Sequence, residues 1–252
     1  MICFSIVLYG GMSGYVTHAI EKIENLRNEF EECMFCVIMD TTTASECMFY
    51  FQSKDIDIKI YESKGTSKVT LFLRYLPIFI QKYENYDVAI IDVHDELKTQ
   101  VIWIRKALCQ LSRLNKDVFF MYIHSTDKEC PYPLKLHNTC HTHRDAGFSV
   151  WKCKGKARSK IIKENLFDEF FTNLQTFYKS YAYGADEVLM DSFLSKHISK
   201  EEQILKKNVF MSCKCSYTPL KKMTWNQHLP IDGKIHFSGD NDMYVCNRVD
   251  HL

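Results

Sequence analysis

The sequence predicts an α/β fold, a single domain with a mostly parallel central sheet, and three observations carry that prediction. The run Val88, Ala89, Ile90, Ile91 sits between Asp87 and Asp92 with few polar atoms. That is how a strand covered by helices on both faces reads. The first segment, Ile2 to Tyr9, is strand-like in composition and passes through Gly10, Gly11, Met12, Ser13 and Gly14 into a helical pattern from about Tyr15 to Glu32. Two further strand-like runs, Met34 to Met39 and Val118 to Ile123, each end in polar residues, and amphipathic patterns lie between the runs.

The totals set the class. A chain of 252 residues is long enough for one large α/β domain or two small ones. Lys+Arg number 32 against 31 Asp+Glu, so nothing in the overall charge calls for nucleic acid. The eleven cysteines are scattered and odd in number, and several lie inside apolar runs. They point to free thiols in a reducing compartment, cytoplasmic, rather than to a disulfide scaffold. MICFSIVLYGG lacks a basic leading region and reads as a strand, not a signal peptide. No stretch approaches the length of a spanning helix, so no transmembrane segment is expected.

In chain order, the glycine turn is tested first as a dinucleotide fingerprint. The first glycine of that pattern would fall on Tyr9, so a Rossmann oxidoreductase is the weaker reading. The turn can still offer backbone amides to a phosphate. Asp40 ends the second strand and either meets a nucleotide or caps a helix across Ser45 to Gln52. Cys33 and Cys36 form a lone CxxC without a second pair and read as core. Ile56 to Tyr61 alternates as a short strand, and Leu71 begins an amphipathic helix. After Asp92, residues Gln100 to Leu114 are helical, with Ile102, Trp103, Ala107, Leu108 and Leu111 on one face.

The segment Lys128 to Asp145 is long and irregular and holds Cys130, Cys140, His137, His141 and His143. Its spacing fits no established zinc pattern. Gly147 to Cys153 is a strand. It runs into Lys152, Lys154, Lys156, Arg158, Lys160 and Lys163, six cations with no acid among them. This run either meets a diphosphate or anionic acceptor or is a solvated basic turn. Leu166 to Tyr181 is an amphipathic helix, and Tyr183-Gly184-Ala185-Asp186-Glu187 opens the next. The domain is expected over residues 1–207, with 208–252 as a loop-rich extension packed on it.

The densest candidate site is Asp92, His94, Asp95 and Glu96 at the end of the fourth strand. Ligands of open α/β sheets bind outside the carboxyl ends of strands, so these groups suit metal or diphosphate chemistry. The plain alternative is that Asp92 and Asp95 cap the following helix.

Taken together, the landmarks resemble the nucleotide-diphospho-sugar (A-type fold) glycosyltransferases, in particular a microbial and viral subfamily. The residues that carry the likeness are Phe4-Ser5-Ile6-Val7-Leu8-Tyr9-Gly10, Arg74-Tyr75-Leu76-Pro77 and Asp92-Val93-His94-Asp95. Ala146-Gly147-Phe148-Ser149-Val150-Trp151 and Tyr183-Gly184-Ala185-Asp186-Glu187 complete the set, in order over about residues 2 to 195. The family's second metal carboxylate falls on His94, with Asp95 one residue beyond.

The resemblance implies transfer of a sugar from a nucleotide-sugar to an unknown acceptor, assisted by Mn²⁺ or Mg²⁺. Asp92 with His94 or Asp95 would hold the metal, and His236 or His228 would add a ligand. Tyr9, Gly10, Asp40 and Arg74 would line the nucleotide or sugar-phosphate side. Lys154 and the basic run would face phosphates, and Asp186 or Glu187 would act as base on the acceptor. An imidazole suits Mn²⁺ better than Mg²⁺. The alternative is a catalytically inactive member of the fold that serves as a binding or scaffold module.

Overall fold

Alternation along the strands settles which side chains meet which core. In the computed structural model the described residues are 1–9, 15–62, 68–93, 95–124, 142–170, 193–194 and 196–208, with backbone alone at 68–71, 122–124, 142–146 and 205–208. Strand β1 (Ile2–Leu8) is buried throughout. Its Ile2, Phe4, Ile6 and Leu8 enter one core and its Cys3 and Val7 the other. The same period of two divides β2 (Cys33–Asp40), where Phe35, Val37 and Met39 face the first core and Cys36 and Ile38 the second. A sheet that is apolar on both faces must be covered on both.

The first face is covered by α1 (Tyr15–Glu29), α2 (Thr41–Cys47) and α4 (Leu97–Leu114). A 3-10 segment over Lys68–Tyr75, the short α3 (Leu76–Phe79) and α5 (Lys156–Lys163) cover the second. There Phe79 meets Phe167, Phe170 and Phe193 at ring separations of 5.6, 5.1 and 5.6 Å, an aromatic cluster that closes the core beneath the sheet.

Among the described residues seven strands run in the order β3-β2-β1-β4-β6-β5-β7, with β3 at Ile56–Tyr61, β4 at Asp87–Ile90, β5 at Val118–His124, β6 at Thr142–Trp151 and β7 at Gln203–Asn208. Every neighbouring pair is parallel except those made by β6. The α/β class with a mostly parallel central sheet is therefore the fold observed.

Three local expectations are corrected. The amphipathic helix from Leu71 is a 3-10 segment that passes into a four-residue helix with Pro77 in its first turn, where proline's missing amide is harmless. The second helix starts at Thr41 rather than Ser45, because Asp40 caps it directly. On α4 the buried positions are Gln100, Val101, Ile104, Ala107 and Leu111, while Ile102, Trp103 and Leu108 lie at the margin. β7 was not expected at all.

Candidate functional site

β1, β2 and β3 step outward in one direction, and β4 returns to the other side of β1. The chain thus reverses its winding between β1 and β4. In parallel sheets such a switch point opens a crevice outside the carboxyl ends of the two strands. Tyr9 follows β1 and Asp92 follows β4, with Ile91 N–H still donating to the Ser5 carbonyl at 3.3 Å. Both residues therefore stand at this crevice.

Arg74 joins them from the second face. Ser5, a lone hydroxyl inside an otherwise apolar strand, donates from Oγ to the Arg74 carbonyl at 2.6 Å. This fixes the backbone of Arg74 against β1. Its Nη1 lies 3.9 Å from Oδ2 of Asp92. The Tyr9 ring sits 5.5 Å from that of Tyr15. Burial, and then the neighbouring Tyr15, push the Tyr9 phenol well above its ordinary range, so it stays protonated as a donor. Arg74 and Asp92 both act on that phenol, in opposite senses.

The acidic turn is held from below. Lys22, from α1, donates through Nζ to the Asp92 carbonyl at 2.7 Å, the Asp95 carbonyl at 2.6 Å and Gln100 Oε1 at 2.9 Å. Gln100 Nε2 in turn donates to the Asp92 carbonyl at 2.9 Å and to Asp95 Oδ2 at 3.0 Å. The N-cap position of α4 falls on neither Asp92 nor Asp95. The N-cap position of α4 is Glu96, whose carboxylate accepts from Thr99 Oγ1 at 2.7 Å.

On the far side of β4 the pairing with β6 also changes. Ile90 faces Ser149, so residues 142–148 of β6 continue past the end of β4. Phe120 faces Ser149 but Tyr122 faces Arg144, a register shift that places an irregular stretch containing Gly147 beside the crevice. Irregularities of this kind re-aim a strand near a site.

Other expected residues fall elsewhere. Asp40 is at the same edge of the sheet but wholly buried, and its Oδ1 accepts the Thr43 amide at 2.8 Å as an N-cap. The basic run lies at the opposite end, because Trp151 pairs with Val88 at the start of β4. Lys154 there donates its amide to the Glu84 carbonyl. The backbone of the run and its arginine are tied into the fold there. Cys153 N–H meets Asp87 Oδ1 at 2.7 Å, Ala157 N–H meets Asp117 Oδ2 at 3.0 Å, and Arg158 is buried against the carbonyls of Tyr86 and Pro77. Burial lowers the Arg158 guanidinium to about 10, which leaves it charged. Gly10, His94, Asp186, Glu187, His228 and His236 lie outside the described residues, as does the Cys/His-rich segment 125–141.

Among the described residues no group of three or more His, Cys, Asp or Glu side chains is placed to hold a metal ion. Asp92 and Asp95 offer hard oxygen donors from one short turn. Cations that bind substrate phosphates are commonly held by one or two carboxylates, with the phosphates completing the shell. The two aspartates fit that pattern. The six described cysteines are all free, with Cys3, Cys36 and Cys47 in the core. No helix among the described residues is long and apolar enough to cross a membrane.

Sequence reasoning missed Lys22, Gln100 and Tyr15. A signal for Lys22 was present: it lies three residues after Ala19 and beside Ile23, on the stripe that α1 buries.

Neither a protein-family model nor a curated protein matches this chain. Among solved structures, 4-diphosphocytidyl-2C-methyl-D-erythritol synthase from Anaerococcus prevotii is similar over 82% of this chain and 88% of its own. The TM-score is 0.45 and the identity 9%, a likeness too slight to bear on activity.

Proposed function

We propose that this chain is a nucleotide-sugar-dependent glycosyltransferase, moving a sugar from a nucleotide-sugar donor to an acceptor hydroxyl with a divalent cation. One observation carries the reading: Tyr9, Arg74 and Asp92 meet at the switch point between β1 and β4, with Asp95 three residues further along the same turn. The ordered landmarks of the sequence support the glycosyl-transfer part of it.

In this reading Asp92, with Asp95 or His94, holds Mn²⁺ or Mg²⁺. When bound, the cation offsets charge that develops on the departing nucleotide diphosphate. Arg74 adds a fixed positive charge at the same mouth, oriented before the donor arrives. Tyr9, kept protonated by burial, donates a hydrogen bond to a donor oxygen. Asp186 or Glu187 takes the acceptor proton, the role the resemblance gives them.

The test is thermal stabilisation by UDP and GDP, with and without Mn²⁺, for the wild type and Asp92→Ala. A ligand that binds only the folded state raises its melting temperature by mass action. A manganese-dependent rise that Asp92→Ala abolishes is expected and names the nucleotide. The absence of any rise would leave the fold serving as a binding or scaffold module.

A further inference from the structure

We infer that Lys22 is a positioning residue: its ammonium and the Gln100 amide hold the acidic turn in the one backbone path that presents Asp92 and Asp95 to a cation–diphosphate pair. The inference rests on the proposed nucleotide-sugar reading and assigns to that site two residues from outside its loop.

Lys22 has only 5% of its surface exposed, and Gln100 none. Burying an ammonium is costly unless its donors are satisfied. Here its three N–H groups meet three oxygens within 2.9 Å. A Met or Leu of similar volume would fill the same place on α1 without that cost, and replacing buried charges by apolar groups is often neutral or stabilising. Core packing therefore does not account for a lysine. The partners do.

Two of the three oxygens are carbonyls of Asp92 and Asp95, and the third belongs to the side chain that also bonds the Asp95 carboxylate. The Asp92 carbonyl accepts from both Lys22 and Gln100. The turn between β4 and α4 is thereby tied at both ends to α1 and at one carboxylate to α4. Loss of residues that orient ligating carboxylates in this way typically lowers metal affinity by about 10–100-fold.

The test uses Lys22→Met and Gln100→Glu in the full chain. Gln100→Glu keeps an oxygen for Lys22 while removing the amide donors to the Asp92 carbonyl and the Asp95 carboxylate, so it carries the test alone if Lys22→Met does not fold. Calorimetric titration with Mn²⁺ plus UDP or GDP is expected to show affinity reduced about tenfold or more in both variants, as for lost outer-shell partners. Affinity for the nucleotide without Mn²⁺ should change far less. Amide exchange at residues 92–96 should accelerate while that of β1 and β2 does not. Wild-type affinity in both variants overturns the inference, as does acceleration spread evenly over the sheet, which would mark Lys22 as an ordinary core residue. A wild type that binds no nucleotide with Mn²⁺ overturns the transferase reading itself, and the inference with it, before any variant is compared.

Discussion

Nη1 of Arg74 lies 3.9 Å from Oδ2 of Asp92, with the arginine side chain 4% exposed and the aspartate side chain 35% exposed. A guanidinium almost out of water is thus directed at a carboxylate on the rim of the crevice. Ser5 holds the backbone from which it extends, its hydroxyl anchoring the Arg74 carbonyl inside the sheet. Removing that hydroxyl leaves a buried carbonyl without this donor. Ser5→Ala should cost about 1–2 kcal/mol of stability in urea unfolding. A change below the error of the measurement would mean that the bond holds nothing in place.

Asp40 is predicted to matter to the fold as a helix cap. Its carboxylate satisfies the Thr43 amide at the start of α2. Asp40→Ala should destabilise by about 1 kcal/mol, and Asp40→Asn, which keeps a capping oxygen, by much less. Equal losses in the two variants would argue that the charge, rather than the cap, is what the site needs.

The ion pair of Arg27 with Asp55 gives a pH dependence whose sign is fixed. Arg27 bonds both carboxylate oxygens, at 2.6 and 2.7 Å, and its hydrogen bond draws the Asp55 carboxyl from an ordinary 3.8 down to about 2. The folded state therefore binds this proton less readily than the unfolded chain. The contribution is complete above about pH 4 and is lost as the pH falls through about 2. Both side chains are about a third exposed, so the pair is worth at most about 1 kcal/mol. Arg27→Met should show that deficit at pH 7, and the deficit should fade as the pH drops through and below about 2. A deficit that persists in acid would assign it to the stacking of Arg27 on Phe35, 5.5 Å from the ring centroid.

Lys154 occupies the left-handed region at φ 53°, which an L side chain adopts at a cost. Lys154→Gly should raise stability by up to about 1 kcal/mol in urea unfolding. Nucleotide affinity should not follow, because Lys154 sits at the end of the sheet away from Asp92. A loss of nucleotide affinity in this variant would return the basic run to the site.

Much of the fold was legible because β1, β2, β4 and residues 118–121 of β5 are apolar runs buried on both faces, and α1 and α4 show helical periodicity. β7 was not. Its QILKKN is an edge strand with two lysines, and an edge needs no continuous apolar run. At the site, Asp92 was legible because charge stopping an apolar strand is conspicuous. The basic run misled for the opposite reason. Its backbone partners, the Glu84 carbonyl and the Asp87 and Asp117 carboxylates, are remote in sequence, and the antiparallel course of β6 brings the run to them, away from Asp92. Lys22 was passed over, although its place on the buried stripe of α1 was legible, because its oxygen partners at residues 92, 95 and 100 are remote in sequence.

The most direct test of the central claim is release of UDP or GDP from a panel of nucleotide sugars in the presence of Mn²⁺, with wild type and Asp92→Ala side by side. The account predicts release by the wild type from at least one donor, dependent on the divalent cation. It predicts a fall of about a hundredfold or more in Asp92→Ala, the scale seen when electrostatic stabilisation of a departing group is removed. Release that is equal in the two proteins, or absent from the wild type with every donor, would contradict it.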